Sequence, residues 1–453
     1  MSNFKVGYSI VNANPPLGSA ISGYFIKRHA KGYLDDITVS TIALNLNDKN
    51  IAIISIDNCY LYSSITNKMA ELIEEKTCVK KENVFISVTH THTGPGPSID
   101  FDDENDKKVS EEYMQFLTNK TADSVKLAFD DLKDAKMGYI YGFAPERIAY
   151  IRRYMMKDGT TYTCPPIDDP NIDYPLGTLD QRINVLRFDR ENAPSIVLVN
   201  YGIHADTVNG EMISSDFIGV LRSTLDKALD GVKTMFICGA QGDVGSTNVH
   251  PKDGDMNDTE ISFDNEMKSP GMARFVGRAI AGTVLQVYDK VHYVDVDDID
   301  VVIKEFNIPS NMPSPEEMPL ARLYNKLHNE GKDDEIPYKA MQLTTVVAEA
   351  QRMCNLEHGP EFYTMKLTGI KLGPVALVGI PGEPFTEIGV KIKQAEGWNL
   401  ILPCGLTNGY MGYFPTMSAY DEGGYESRSS KFKRGCAEII VEKSIELLNE
   451  MKK

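Results

Sequence analysis

The chain has little that would hold a nucleic acid. Asp and Glu outnumber Lys and Arg by 64 to 47, giving a formal net charge of −17 over 453 residues. Binding phosphates requires clustered cations, and the sequence contains no basic stripe. The same charge disfavours anionic membrane surfaces. No apolar run approaches the ~20 residues needed to span a bilayer. The first residues, MSNFKVGYSI, lack a basic segment followed by an apolar one, so no secretory signal is read. The seven cysteines stand at 59, 78, 164, 238, 354, 404 and 436, an odd number with no CxxC pair. Reduced thiols fit that pattern better than a disulfide framework or a cysteine-type zinc site. These absences together predict a cytoplasmic chain.

What is present is ordinary globular material, 42% hydrophobic and 25% charged, without repeats or low-complexity tracts. Runs rich in Val, Ile and aromatics predict strands at Ile37–Leu46, Ile51–Asp57, Val84–Val88, Gly138–Tyr141, Ile183–Phe188 and Ser195–Asn200. Further strands are predicted at Thr234–Cys238, Ile299–Phe306, Tyr363–Leu372, Val375–Ile380 and Leu400–Leu402. Helical periodicity predicts Ser63–Glu75, Glu111–Leu132, Phe217–Leu229, Gly271–Val287, Pro315–Glu330, Pro337–Cys354, Thr386–Ala395 and Cys436–Met451. Interleaving of this kind predicts an α/β fold with mixed β-sheet layers covered by helices, here one domain over 1–453. Lys157–Asp180 and Val249–Pro270 read as long loops, which often rim functional sites.

Several strands run into residues that can do chemistry. After Val84–Val88 comes Thr89-His90-Thr91-His92-Thr93-Gly94-Pro95-Gly96. Histidines at i and i+2 share a face on a regular strand, but Gly-Pro-Gly turns the chain and splays them. One imidazole could hold a metal while the other faces a substrate. A second strand delivers His204 in Asn200-Tyr201-Gly202-Ile203-His204-Ala205-Asp206; alone, such a histidine reads as structural. A third breaks at Pro381-Gly382 and presents Glu383, which reads as either a helix cap or a ligand. Phe236–Asn248 enters a small-residue turn containing Asp243, where backbone can come close to a site. It is no phosphate loop, because no Gly-Lys-Ser/Thr follows. The last motif, Gly405–Thr416 followed by Gly424-Tyr425-Glu426, is dense in Gly and Tyr.

In this order, the motifs resemble the neutral ceramidase family. The likeness runs from GYSIVNANPPLG to Tyr425 and includes THTHTGPG, NYGIH, GDVGSTN, IPGE and NGYMGY. It implies one zinc ion per chain, held by His90, His204, Glu383 and Tyr413. Tyr413 is matched, rather than Tyr410, on the NxYxxY spacing. The resemblance further implies that His92 lies beside the reacting carbonyl and that Tyr425 contacts the substrate near the scissile amide. It matches Arg152 to the active-site arginine, with the adjacent Arg153 as the alternative register. Gly94, Asp243 and Tyr410 are the remaining candidates for substrate or oxyanion contact. Unlike the family, the chain is expected to lack a C-terminal immunoglobulin-like domain and a signal segment. A family serine has no clear counterpart, and Ser262 is the nearest candidate by neighbourhood. The departures bear on a sphingolipid substrate more than on the metal chemistry.

Two imidazoles, a carboxylate and a phenol oxygen suit zinc, and a catalytic site leaves room for water. Zinc stabilises a phenolate against its ordinary pKa near ~10 and acidifies water towards about 7. His92 would then move a proton, and Arg152 and Tyr425 would support the oxyanion. The expected activity is hydrolysis of a small-molecule N-acyl amide. Alternatives are an esterase or a peptide or lactam hydrolase on the same zinc, or a non-catalytic metal- or ligand-binding protein. Phosphoryl transfer would need a basic or second-metal cluster, and none is read here. Cys238 and Cys404, at strand ends, are weaker candidates as nucleophiles. Oligomeric state is not legible in the sequence.

Overall fold

The structure is a computed structural model describing residues 3–97, 103–251 and 268–452. Its main sheet contains β1 (Phe4–Asn12), β2 (Thr38–Leu46), β3 (Lys49–Ile56), β4 (Val84–Val88), β5 (Lys133–Phe143), β6 (Arg182–Arg190), β7 (Ala193–Tyr201) and β8 (Lys233–Cys238). The order across it is β8-β7-β6-β5-β1-β2-β3-β4, and the short strand His292–Val294 also pairs with β5. Only the outer pairs, β7 with β8 and β3 with β4, are parallel. A second sheet, in the order β9-β10-β11-β12, comprises Ile299–Pro309, Phe362–Leu372, Val375–Gly379 and Leu400–Cys404.

Side-chain alternation explains the layering. Along β7, Val197 and Val199 join one core while Ile196 and Leu198 join another. Along β11, Val375 and Leu377 point one way, Ala376 and Val378 the other. A strand buried on both faces therefore reads as a continuous apolar run. The first core lies under helices α1 (Ser63–Lys76), α2 (Glu104–Asp130), α3 (Phe217–Ala228) and α4 (Pro270–Val287). The middle core lies between the two sheets. The third packs the second sheet against α7 (Thr386–Ile392) and α8 (Cys436–Glu450). Between β9 and β10 the chain makes a helical hairpin, α5 (Met318–Asn329) and α6 (Ala340–Leu356). The result is four layers, helix, sheet, sheet, helix, as the mixed-sheet reading predicts.

The predicted elements differ from the observed ones mainly at their ends. β1 was not expected; it enters the sheet beside β2, with Phe4 and Val6 in the middle core. Helix α2 begins seven residues before the predicted Glu111, because the Asp103 side chain caps it by accepting from the Asn105 and Asp106 amides. The expected loop Lys157–Asp180 carries two short strands, Thr161–Thr163 and Ile172–Pro175, which pair with Arg153–Met156. Most of the other expected loop, Val249–Pro270, lies outside the described residues. Among the described residues no helix is long and apolar enough to cross a membrane.

Candidate active site

The motif residues follow strand ends, and backbone hydrogen bonds tie those ends together. Leu406 O accepts from Val88 N (3.3 Å), Leu406 N donates to Gly382 O (2.8 Å), and Gly405 N donates to Cys238 O (3.0 Å). The segments after β4, β8, β11 and β12 are thereby joined. His204 N donates to Val244 O at 3.2 Å, which adds the segment after β7. His90 itself has φ +68°, a left-handed conformation uncommon for a side-chain-bearing residue and frequent at functional turns.

Three buried groups meet at one point. His90 Nε2 lies 3.1 Å from Glu383 Oε2, and His204 Nε2 lies 3.0 Å from the same oxygen. The far nitrogens face carbonyls: His90 Nδ1 is 2.7 Å from Cys59 O, and His204 Nδ1 is 2.9 Å from both Gln241 O and Val244 O. A carbonyl only accepts, so each Nδ1 carries a proton, and each ring turns its Nε2 towards Glu383. Despite those short distances Glu383 Oε2 is buried without a hydrogen-bond partner, whereas Oε1 accepts from the Tyr410 hydroxyl at 3.0 Å. Such a cluster attracts a cation. Burial alone would disfavour a charged His90, but the Glu383 carboxylate overcomes it and holds the imidazole well above its usual range. Burial, then the Arg152 charge, pushes His204 down to about 4. Burial likewise disfavours the Glu383 carboxylate, yet His90 and His204 keep it well below the usual range. His90, His204 and Glu383 are a group that could hold a metal ion, with backbone carbonyls orienting both rings.

The tyrosines occupy two positions. Tyr413 pairs in register with Glu383 on a short parallel bridge, and its ring meets Tyr425 at 5.6 Å. Tyr410 bonds Glu383 and stacks on Tyr60 at 4.5 Å. Burial, then the Glu383 charge, raises both phenols. His92 Nε2 lies 3.3 Å from His90 Nε2, and burial keeps this imidazole well below its usual range.

The two arginines are separated at a break between strands: Arg152 lies between the short strands Tyr150–Ile151 and Arg153–Met156, and Arg153 opens the second. Arg152 turns to the site: Nη1 lies 3.2 Å from His204 Nε2, Nη2 donates to Gly242 O at 2.9 Å, and the guanidinium lies 5.4 Å from the Tyr413 ring. Arg153 turns away, donating to Glu422 and Gly423 O and lying over Phe385. Asp243 supports the site from behind. Its carboxylate accepts from the Thr386 amide and hydroxyl, and its carbonyl accepts from Arg152 N. Gly94 O accepts from Ser22 N, which makes Gly94 a tether for the loop over the site. Ser262 lies outside the described residues. Cys238 and Cys404 are fully buried, and burial pushes their thiols far up, so neither is poised as a nucleophile.

Four neighbours escaped the sequence reading. Buried Glu426 accepts from Arg152 Nε at 2.7 Å, Cys59 lines the cavity beside His90, and Tyr24 and Asp206 flank His92. Asp206 follows His204 at the spacing by which His92 follows His90, the only signal that could have singled it out. The cavity itself holds about 440 Å³ and is lined by His90, His92, Glu383, Tyr410, Tyr413 and Tyr425, by the segment Ala20–His29, and by His328, Asn329 and Gln351.

Two solved structures share this architecture. One is the neutral ceramidase from Pseudomonas aeruginosa, with TM-score 0.74 and 15% identity over 100% of this chain and 75% of that one. The other is described as a ceramidase complexed with C2, with TM-score 0.73 and 14% identity over 100% and 76%. No protein-family model and no curated protein matches the sequence. The fold is therefore that of the neutral ceramidase structures, established at the level of architecture.

Proposed function

We propose that this chain is a zinc-dependent hydrolase that cleaves the C–N bond of an N-acyl amide. The observation that carries the reading is Glu383 Oε2, a buried carboxylate oxygen with no hydrogen bond, facing two histidine Nε2 atoms. His90, His204 and Glu383 would hold the metal, with Tyr413 as the fourth protein ligand. Zinc supplies Lewis acidity, which acidifies water and polarises a carbonyl. His92 moves the proton between water and the leaving nitrogen. Arg152 and Tyr425 donate to the carbonyl oxygen as its charge grows, and Glu426 fixes the Arg152 fork.

The cavity also bears on the substrate. Lys27, Arg28, His29, Asp106, Asn329 and Gln351 make much of its wall polar. This supports a polar N-acyl amide over a long-chain sphingolipid. The test is a panel of N-acyl amides, esters and peptides, assayed with and without a chelator, beside elemental analysis of the purified protein. Amide cleavage abolished by chelation and restored by zinc is expected. A full zinc complement in the His90→Ala/His204→Ala double variant would defeat the assignment.

A further inference from the structure

The segments that carry the two candidate histidine ligands lie side by side, joined by a hydrogen bond from His92 N to Ala205 O at 3.0 Å. They face each other in two steps. At the first, His90 meets His204, with ring centroids 4.9 Å apart. Two residues further along each segment, His92 meets Asp206, with Nδ1 3.7 Å from Oδ1. His92 Nδ1 is buried and has no hydrogen-bond partner, while its Nε2 points to His90. The ring is wedged on its other side. A Cβ on Gly23 would fall 2.7 Å from His92 Cγ, and the Tyr24 ring stands edge-on at 5.4 Å. Asp206 is itself held, with Oδ1 accepting from the Tyr24 hydroxyl and Oδ2 from Lys268 Nζ. The carboxylate is thus fixed in place and faces the one ring nitrogen that lacks a partner.

We infer that Asp206 is a positioning residue for His92: it accepts Nδ1–H and thereby fixes the tautomer that aims the bare Nε2 at the cleavage centre. The inference rests on the amide-hydrolase reading for its consequence, though not for its geometry. At 3.7 Å the contact is longer than a hydrogen bond, and pairs of this kind tighten when substrate seats. A carboxylate behind an imidazole selects the tautomer and holds the ring's orientation. Tyr24 and Lys268 hold the carboxylate stationary behind the ring.

The test is Asp206→Asn in the zinc-loaded full chain, with ¹⁵N NMR of the His92 ring as the readout that needs no substrate. His92 is expected to be Nδ1-protonated in the parent and to shift towards the Nε2-protonated form in the variant. With a substrate from the panel, kcat is expected to fall roughly 10²–10⁴-fold, the worth of a positioned proton-transfer group, with KM and zinc content unchanged. Asp206→Glu should restore part of the loss. An unchanged His92 tautomer overturns the proposal, as does a fall in kcat that merely follows loss of zinc. If no panel amide is cleaved by the parent, the hydrolase reading fails while the tautomer measurement still decides this one. Should Asp206→Asn not fold, Tyr24→Phe removes the hydroxyl that shares Oδ1 with His92 while leaving the ring and the Lys268 contact to Oδ2 in place; the His92 Nδ1–H resonance is then expected to move downfield, and a fixed resonance overturns the proposal.

Discussion

Tyr410 donates its hydroxyl proton to Glu383 Oε1 at 3.0 Å, which leaves Oε2 as the oxygen facing His90 and His204. The bond orients a carboxylate that would otherwise rotate between its two oxygens. Tyr410→Phe is expected to weaken zinc binding about 10–100-fold, the usual effect of losing a partner that orients a ligand. Competition with a calibrated chelator measures this.

Arg152 and Arg153 should separate cleanly. Arg152→Gln removes a donor aimed at the site and is expected to lower kcat/KM about 10²–10³-fold with zinc retained. Arg153 is 98% buried on the other face and serves Glu422 and Gly423 O. Arg153→Gln is therefore expected to lower thermal stability with a much smaller effect on kcat/KM. Equal losses of kcat/KM in the two variants would contradict this separation of the two side chains.

Gly23 has φ +109°, and an added Cβ would press on the His92 ring. Gly23→Ala combines backbone strain with displacement of that ring. It is expected to lower kcat by about tenfold or more, since a shift near 1 Å can cost two orders of magnitude. Steady-state kinetics beside a thermal melt would separate displacement from unfolding.

Buried Asp57 is gripped by Arg222 at 3.1 and 2.6 Å and also accepts from the Thr38 amide and the Thr38 and Thr89 hydroxyls. Arg222→Met strands that carboxylate next to the turn carrying His90. Breaking a buried pair on one side costs roughly 3–5 kcal/mol. Denaturant unfolding should show that loss, and Arg222→Met/Asp57→Asn should recover part of it.

Burial pushes Lys431 down to about 8, although its ammonium lies 4.5 Å from the Tyr363 ring. The unfolded value is near ~10.4, so the folded state releases this proton first as pH rises. Stability is thus penalised while Lys431 is charged, below pH about 8, and the penalty is relieved between about 8 and 10. Lys431→Met is expected to be more stable than the parent at pH 7, on the order of 1–2 kcal/mol, with the gap narrowing by pH 9.5. Parallel unfolding curves across that range measure the difference.

Much of the fold could be read locally. The run Val375–Ile380 announced a strand because both of its faces are buried, and Phe217–Leu229 announced a helix because Phe217, Ile218, Leu221 and Leu225 form one stripe. β1 escaped because its alternation is broken: Tyr8 and Ser9 are both buried, with Ser9 bonding Ser124 on α2. The start of α2 escaped because its first turn is charged, and only the cap at Asp103 marks it.

The amino-acid order by itself determined which residues stand at strand ends, since hydrophobic period and Gly-Pro breaks act over a few neighbours. It therefore delivered His90, His204 and Glu383 as separate candidates in sequence. Only the tertiary structure decided that they share one carboxylate oxygen, that Arg152 rather than Arg153 faces it, and that Asp206 stands behind His92. Those relationships depend on hydrogen bonds between segments more than a hundred residues apart, such as Val88 with Leu406 and Gly405 with Cys238. No local pattern carries such a distance; it is set when the sheets pack and bring their ends together.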